Sequence, residues 1–131
     1  MTVAITAAHN AARLAGTLAF LDDGPQPARL RVYGGARPAS PDDLPASAML
    51  VEIALTKPAG TVAGGLLTLT QQADGLITAT GVATWARLVN GNDQTAMDMD
   101  CSDASGSGDV KLASTTLYLG GDARLVSAIL G

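Results

Sequence analysis

Four oxygen-bearing side chains, Asp98, Asp100, Ser102 and Asp109, fall at the first, third, fifth and twelfth positions of a calcium-loop register. Such a loop wraps a hard cation in carboxylate and carbonyl oxygens, and its sixth position needs glycine for a sharp turn. Here the sixth position is Asp103, and no helical pattern flanks the segment. Met97, Met99 and Cys101 alternate with Asp98, Asp100 and Ser102, which reads more simply as a strand with an apolar inside and an acidic outside. No metal is therefore expected. His9 is the sole histidine and has no cysteine or carboxylate at a ligand or triad spacing. Arg13, one helical turn on, would disfavour its protonated form. Cys101, the sole cysteine, has no basic neighbour to activate a thiolate and excludes an internal disulfide. The glycine pairs at 34/35, 64/65 and 120/121 mark turns, not a phosphate cradle between strand and helix. No nucleophile or acid–base pair can be assembled, so no catalytic residue, cofactor or enzymatic activity is expected.

What remains is contact chemistry. Trp85, the only tryptophan, and Arg87 lie two residues apart in an apolar run from Gly81 to Val89. On a strand they share one face while Leu88 takes the other, so both faces are in use and the strand is central. Arg87 can meet a partner's carboxylate, and an intramolecular ion pair fits equally well. Arg13 and Arg87 are the candidate interface residues.

The elements that must hold these side chains are mostly short. Thr6 can cap a helix at about 7–23 whose apolar stripe is Ala11, Leu14, Ala15, Leu18 and Leu21, with Gly24-Pro25 as the stop. Gly16 weakens this helix, so it needs a surface to pack on, and its small side chains suit close approach to a sheet. From about residue 28 the pattern is β. Strands are expected at 29–33, 49–56, 66–70, 76–80, 81–89, 96–101, 111–119 and 123–130. Lys57-Pro58-Ala59-Gly60 reads as a turn, residues 36–45 as a proline-bearing surface loop and residues 102–109 as a Gly/Ser/Asp loop. Seven or eight short strands with turns at this spacing indicate a sandwich or a barrel; the expected fold is mainly β, an antiparallel β-sandwich over about 28–130 with one N-terminal α-helix, in a single domain spanning 1–131.

Composition narrows the function classes. Of 131 residues, 47% are apolar and 15% charged. The charge content lies well below the roughly 25% usual for soluble domains. A folded chain with so few charges leaves much of its surface to small neutral residues, as at the centres of interfaces, although a GC-rich genome would also inflate Ala and Gly. The net charge is −4 and the eight Lys and Arg residues are scattered, which disfavours nucleic acid as a partner. No apolar span approaches the roughly 20 residues of a membrane helix. The start, Met1-Thr2-Val3-Ala4-Ile5-Thr6, lacks the cationic n-region of a signal peptide, so a cytoplasmic origin is expected.

The order of elements carries a resemblance. Asn10-Ala11-Ala12-Arg13-Leu14 in the helix is followed by Leu30-Arg31-Val32-Tyr33-Gly34-Gly35-Ala36-Arg37-Pro38-Ala39. Met49-Leu50-Val51-Glu52-Ile53-Ala54-Leu55 comes next, and then Ala79-Thr80-Gly81-Val82-Ala83-Thr84-Trp85-Ala86-Arg87-Leu88-Val89 before a Gly-Asn turn. Over nearly its whole length the chain resembles small proteins encoded among the virion structural genes of tailed bacteriophages. It departs from their pattern at Ala86, where an aromatic is expected, and in the loop after Asn92. The resemblance implies a non-enzymatic virion component assembled in the host cytoplasm, in first place a head decoration (cement) protein, and with it a jelly-roll-like β-sandwich. Its partners would be itself, as a dimer or trimer, and the major capsid protein or another virion protein. A tail or baseplate subunit is the second expectation. A fibre-associated carbohydrate- or receptor-binding β-sandwich is the third, and the scarcity of aromatics (Phe20, Tyr33, Trp85, Tyr118) counts against it.

Overall fold

A computed structural model describes residues 3–131. The helix α1 runs Ala7–Leu21, and the Thr6 hydroxyl caps it by accepting a hydrogen bond from the His9 amide at 3.1 Å. Its last turn is followed by Gly24 at φ 105° and then Pro25, so it cannot continue. Leu14 and Leu21 are buried and Leu18 partly so, whereas Ala11 and Ala15 face solvent. The buried stripe is thus narrower than the periodicity implies. Gly16 makes no close approach to any sheet, since a Cβ there would meet nothing within 4 Å.

Eleven strands follow: β1 Arg29–Tyr33, β2 Met49–Ala63, β3 Leu66–Gln71, β4 Gly75–Leu76, β5 Gly81–Val82, β6 Trp85–Val89, β7 Thr95–Asp103, β8 Val110–Leu112, β9 Thr116–Leu117, β10 Asp122–Ala123 and β11 Leu125–Leu130. Seven of them close a barrel in the order β1-β2-β3-β11-β8-β7-β6, and β10–β4 and β5–β9 form two small ribbons. The chain is mainly β with one N-terminal helix, as its patterning implies. The closed strand order differs from the expected two-sheet sandwich, and β2 supplies the physical reason. Residues 57–60 do not reverse the chain; the register shifts between Leu55 and Gly60, and the strand carries on. One half of β2 pairs with β1 and the other with β3, so a single bulged strand joins what would otherwise be two sheets. The reversal comes at Gly64-Gly65, both at positive φ, as a tight hairpin turn. A second departure is the parallel pairing of β7 with β8. Residues 104–109 bring the chain back only from Asp103 to the level of Cys101, and the Gly108 amide donates to the Ser102 hydroxyl at 3.0 Å to hold the return. The expected strands at 81–89 and 111–119 each break in two, because β5 and β9 leave the barrel to pair with each other.

Inside the barrel, Leu30, Val32, Val51, Ile53, Ala86, Leu88, Met99, Val110 and Leu112 form one apolar cluster with Leu14 and Leu21 of α1. Two side-chain hydrogen bonds tie the helix to the barrel: Asn10 Nδ2 donates to the Gly65 carbonyl at 3.2 Å, and Asp22 Oδ1 accepts from the Ala59 amide at 2.9 Å. No helix among the described residues is long and apolar enough to cross a membrane.

Candidate functional site

Alternation fixes which side chains leave the core. Leu30, Val32, Ala86 and Leu88 point inward, so Arg29, Arg31 and Tyr33 of β1 and Trp85, Arg87 and Val89 of β6 form the outer wall. Strand register aligns them in rows. One row reads Met49, Tyr33, Trp85, Asp100, and the next reads Glu52, Arg31, Arg87, Asp98. Arg31 and Arg87 are direct cross-strand neighbours, an arrangement that is destabilising by itself. Each is neutralised from its far side. Arg31 Nε donates to Glu52 at 2.9 Å, and Arg87 makes a two-pronged bond to Asp98 at 2.7 and 3.0 Å. Below them Asp93, held at φ 62° in the turn between β6 and β7, accepts from both Arg29 and Arg31.

The titration behaviour follows from these contacts. The Asp98 hydrogen bond outweighs burial and raises the pKa of Arg87 above the ordinary arginine value. Burial works against the Arg31 cation, but the hydrogen bond and charge of Glu52 overcome it and raise its pKa too. The hydrogen bond and charge of Arg29, with Arg31 behind them, hold Asp93 below the usual carboxylate range.

Trp85 sits at the centre of this wall and is only 1% exposed. Its ring stacks on Tyr33 with centroids 4.5 Å apart and planes 15° from parallel, and the Arg87 guanidinium carbon lies 5.5 Å from the ring centroid. The buried indole Nε1 has no hydrogen-bond partner among the described residues. The wall therefore does what the central-strand reading requires of Trp85, and it resolves the two alternatives for Arg87. The guanidinium side chain is 7% exposed and faces Asp98, whose side chain is 4% exposed, so the intramolecular pair is the one present. As it stands, Arg87 is not a free contact for a partner.

Arg13 is elsewhere. It is exposed on α1 beside a groove of about 350 Å³ lined also by Leu14, Met97, Met99, Asp109 and Leu130. Met97 and Met99 are the inward residues of β7, so Arg13 and Arg87 lie on opposite sides of the β6–β7 wall and cannot act together. The acidic register at 98–109 does not converge either. Asp98 is engaged by Arg87, Asp100 meets Arg37 at 3.3 Å, and Asp103 caps Ser105. No group of three potential ligands gathers among the described residues. The acidic outside of β7 is only half correct, because Asp98 points outward yet is covered. Burial pushes the Cys101 thiol up to about 11, opposite to an activated nucleophile.

Sequence patterning missed one surface. Residues 111–119 read as strand, but Tyr118 and Leu119 open a turn closed by the Gly121 amide donating to the Tyr118 carbonyl at 2.9 Å. Gly120 takes φ 88°, and backbone bonds between Ile77 and both Gly120 and Gly121 hold the turn against β4. Tyr118 and Leu119 are 66% and 68% exposed, and Leu76 and Val82, on the two ribbons that this turn connects, are 62% and 56% exposed. The signal available was the Gly120-Gly121 pair directly after two large apolar residues. Comparison with protein-family models, curated proteins and solved structures found no match to this chain.

Proposed function

We propose that this chain is a non-enzymatic structural subunit of a tailed-phage virion, a head decoration protein that docks on the capsid shell. The observation that carries the reading is the exposure of four large apolar side chains, Leu76 and Val82 on the two ribbons and Tyr118 and Leu119 in the turn that connects them, each more than half exposed on a chain with few charges. The bonds from the Gly120 amide to the Ile77 carbonyl and from the Leu119 amide to the Thr80 hydroxyl hold the turn beside both ribbons, and exposed apolar surface of this kind marks interaction sites. Asp122 is the only charge within the four short strands of the ribbons, matching the depletion of charge at interface centres. The strongest ion pairs, by contrast, bind the barrel's own strands to one another. In this reading the barrel serves as the rigid body that the resemblance assigns to a jelly-roll sandwich, and the two ribbons present the contact.

The test is co-sedimentation of the purified protein with heads and tails separated from the source virion, alongside its mass in solution. Binding to heads is expected, with self-association as a dimer or trimer and an interface above roughly 1,000 Å² in total. The double substitution Tyr118→Ser with Leu119→Asp should abolish binding while leaving the thermal transition in place, because both side chains point to solvent. Binding to tails would instead support a tail or baseplate subunit. A monomer that binds neither particle would overturn the proposal.

A further inference from the structure

Asn90 and Gly91 are each demanded by the turn between β6 and β7, and side by side they form the one Asn-Gly pair in the chain. Asn90 is fully buried and both of its side-chain polar atoms are engaged. Oδ1 accepts from the Asn92 and Gln94 amides at 3.0 and 2.9 Å, and Nδ2 donates to Gln94 Oε1 at 2.9 Å. Gly91 is buried too, and a Cβ there would lie 2.1 Å from the Gln26 carbonyl oxygen, so no other residue fits. Yet asparagine followed by glycine is chemically labile. The glycine nitrogen gives its proton to a solvent base and attacks the asparagine Cγ. The new C–N bond closes a five-membered imide as the Cγ–Nδ2 bond breaks and ammonia leaves. Water then opens the imide at either carbonyl, leaving aspartate or, where the main chain now runs through Cβ, isoaspartate. A side chain on the following residue hinders the attack, so Asn10 before Ala11 and Asn92 before Asp93 are slower sites.

We propose that Asn90-Gly91 is a self-modification site, shielded while the turn is closed, that deamidates in molecules whose turn has opened and so marks them irreversibly. Closed, the turn keeps base and water from two buried residues, and Gln94 holds the nitrogen that must leave. The shield is thin. Asn92, Asp93 and Gln94 are exposed, and the tip is tied to the rest of the chain by Asn92 Nδ2 donating to Asp23 at 3.4 Å and by Arg29 and Arg31 donating to Asp93. Segments of this kind open below the cost of global unfolding. Either product is wrong for the closed turn. Aspartate would put an ionised carboxyl where Nδ2 donates, at a site without water. Isoaspartate adds a main-chain carbon to the turn whose length aligns Arg87 with Asp98. The inference does not depend on the virion reading.

Peptide mass mapping after timed incubation at mildly alkaline pH reads each asparagine separately, because exchanging NH2 for OH raises the mass. In denaturing urea Asn90 should convert faster than Asn10 and Asn92. In the folded protein its rate should drop by about an order of magnitude or more, since opening breaks three hydrogen bonds. Gln94→Ala frees Nδ2 but keeps the backbone bonds, and should speed the folded-state reaction about two- to ten-fold, with hydrogen exchange of the Leu88 amide unchanged. Refolded chains that carry isoaspartate should melt below unmodified chains from the same sample. No preference for Asn90 in urea would overturn the site. Equal rates in folded and unfolded protein, or an unchanged rate in Gln94→Ala, would overturn the shield. So would a Leu88 amide that accelerates alongside, because the reaction would then report global unfolding. Equal melting of modified and unmodified chains would overturn the mark.

Discussion

Removing Asp98 should leave the guanidinium of Arg87 buried without its counter-charge, and this is the sharpest test of the wall. Arg87 and Asp98 share two hydrogen bonds, at 2.7 and 3.0 Å, with side chains 7% and 4% exposed. At an exposed site such a pair contributes about 0–1 kcal/mol. At a covered one, losing a single partner costs about 3–5 kcal/mol, because the remaining charge has given up its water and gained nothing in return. Here both side chains are less than a tenth exposed, so the second figure applies. Against a total stability of roughly 5–15 kcal/mol for a domain of this kind, Asp98→Ala should remove about a fifth or more. At about 4 °C per kcal/mol, Tm should fall by roughly 12–20 °C. The assay is urea unfolding followed by Trp85 fluorescence, checked by circular dichroism. The double variant Arg87→Met with Asp98→Leu removes both charges and should be much closer to wild type than Asp98→Ala, since apolar replacement of a buried pair is often neutral. A loss under about 1 kcal/mol for Asp98→Ala would show the pair to be solvated.

Trp85→Ala, which empties the stack on Tyr33, should cost about 3–5 kcal/mol in the same assay; a change within error would place the ring at the periphery. The Cys101 thiol, pushed up to about 11, should react slowly with a thiol reagent at pH 8 and rapidly in denaturant; equal rates would refute its burial. Asp93 has a depressed pKa, so its contribution is present above the ordinary carboxylate value of 3.8 and is lost as pH falls below it. Stability curves of wild type and Asp93→Asn should therefore converge on the acid side, and parallel curves down to pH 2 would contradict the Arg29 contact. A chelator should leave Tm unchanged, because Asp98, Asp100 and Asp103 are already engaged; a drop reversed by calcium and abolished in Asp100→Ala would make 98–109 a metal site.

The local chemistry of this chain is legible in its sequence, and the long-range geometry much less so. Helix α1 is readable because Thr6, Leu14, Leu18, Leu21 and Gly24 act on neighbours within a turn or two. Strands β1, β3 and β7 are readable from alternation. Closure into a barrel is not, because it depends on β2 continuing through Pro58 and Gly60 in a bulge, where the same residues are good turn formers. The parallel β7–β8 pairing is hidden for a related reason: a glycine- and serine-rich connection reads as a hairpin loop whichever way the next strand runs. The exposed Tyr118 and Leu119 were hidden by their own apolarity, which patterning assigns to a strand by default.

The wall shows most clearly how chemistry at a site is fixed by register. Arg87 and Asp98 face each other only because the turn between β6 and β7 has one length and one shape. Buried Asn90 sets it: its Oδ1 accepts from the Asn92 and Gln94 amides at 3.0 and 2.9 Å, and its Nδ2 donates to Gln94 Oε1 at 2.9 Å. Asp93 then takes a left-handed conformation that asparagine and aspartate tolerate better than other side chains. Gly91 allows the turn to lie against the loop after α1, where a Cβ would fall on the Gln26 carbonyl oxygen. A one-residue slip at this turn would oppose Arg87 to Met97 or Met99, inward side chains without charge, and would leave Asp98 facing the core. The buried ion pair, costly when broken, thus penalises the wrong register as well as joining the strands, and the helix's loop holds the turn that sets it.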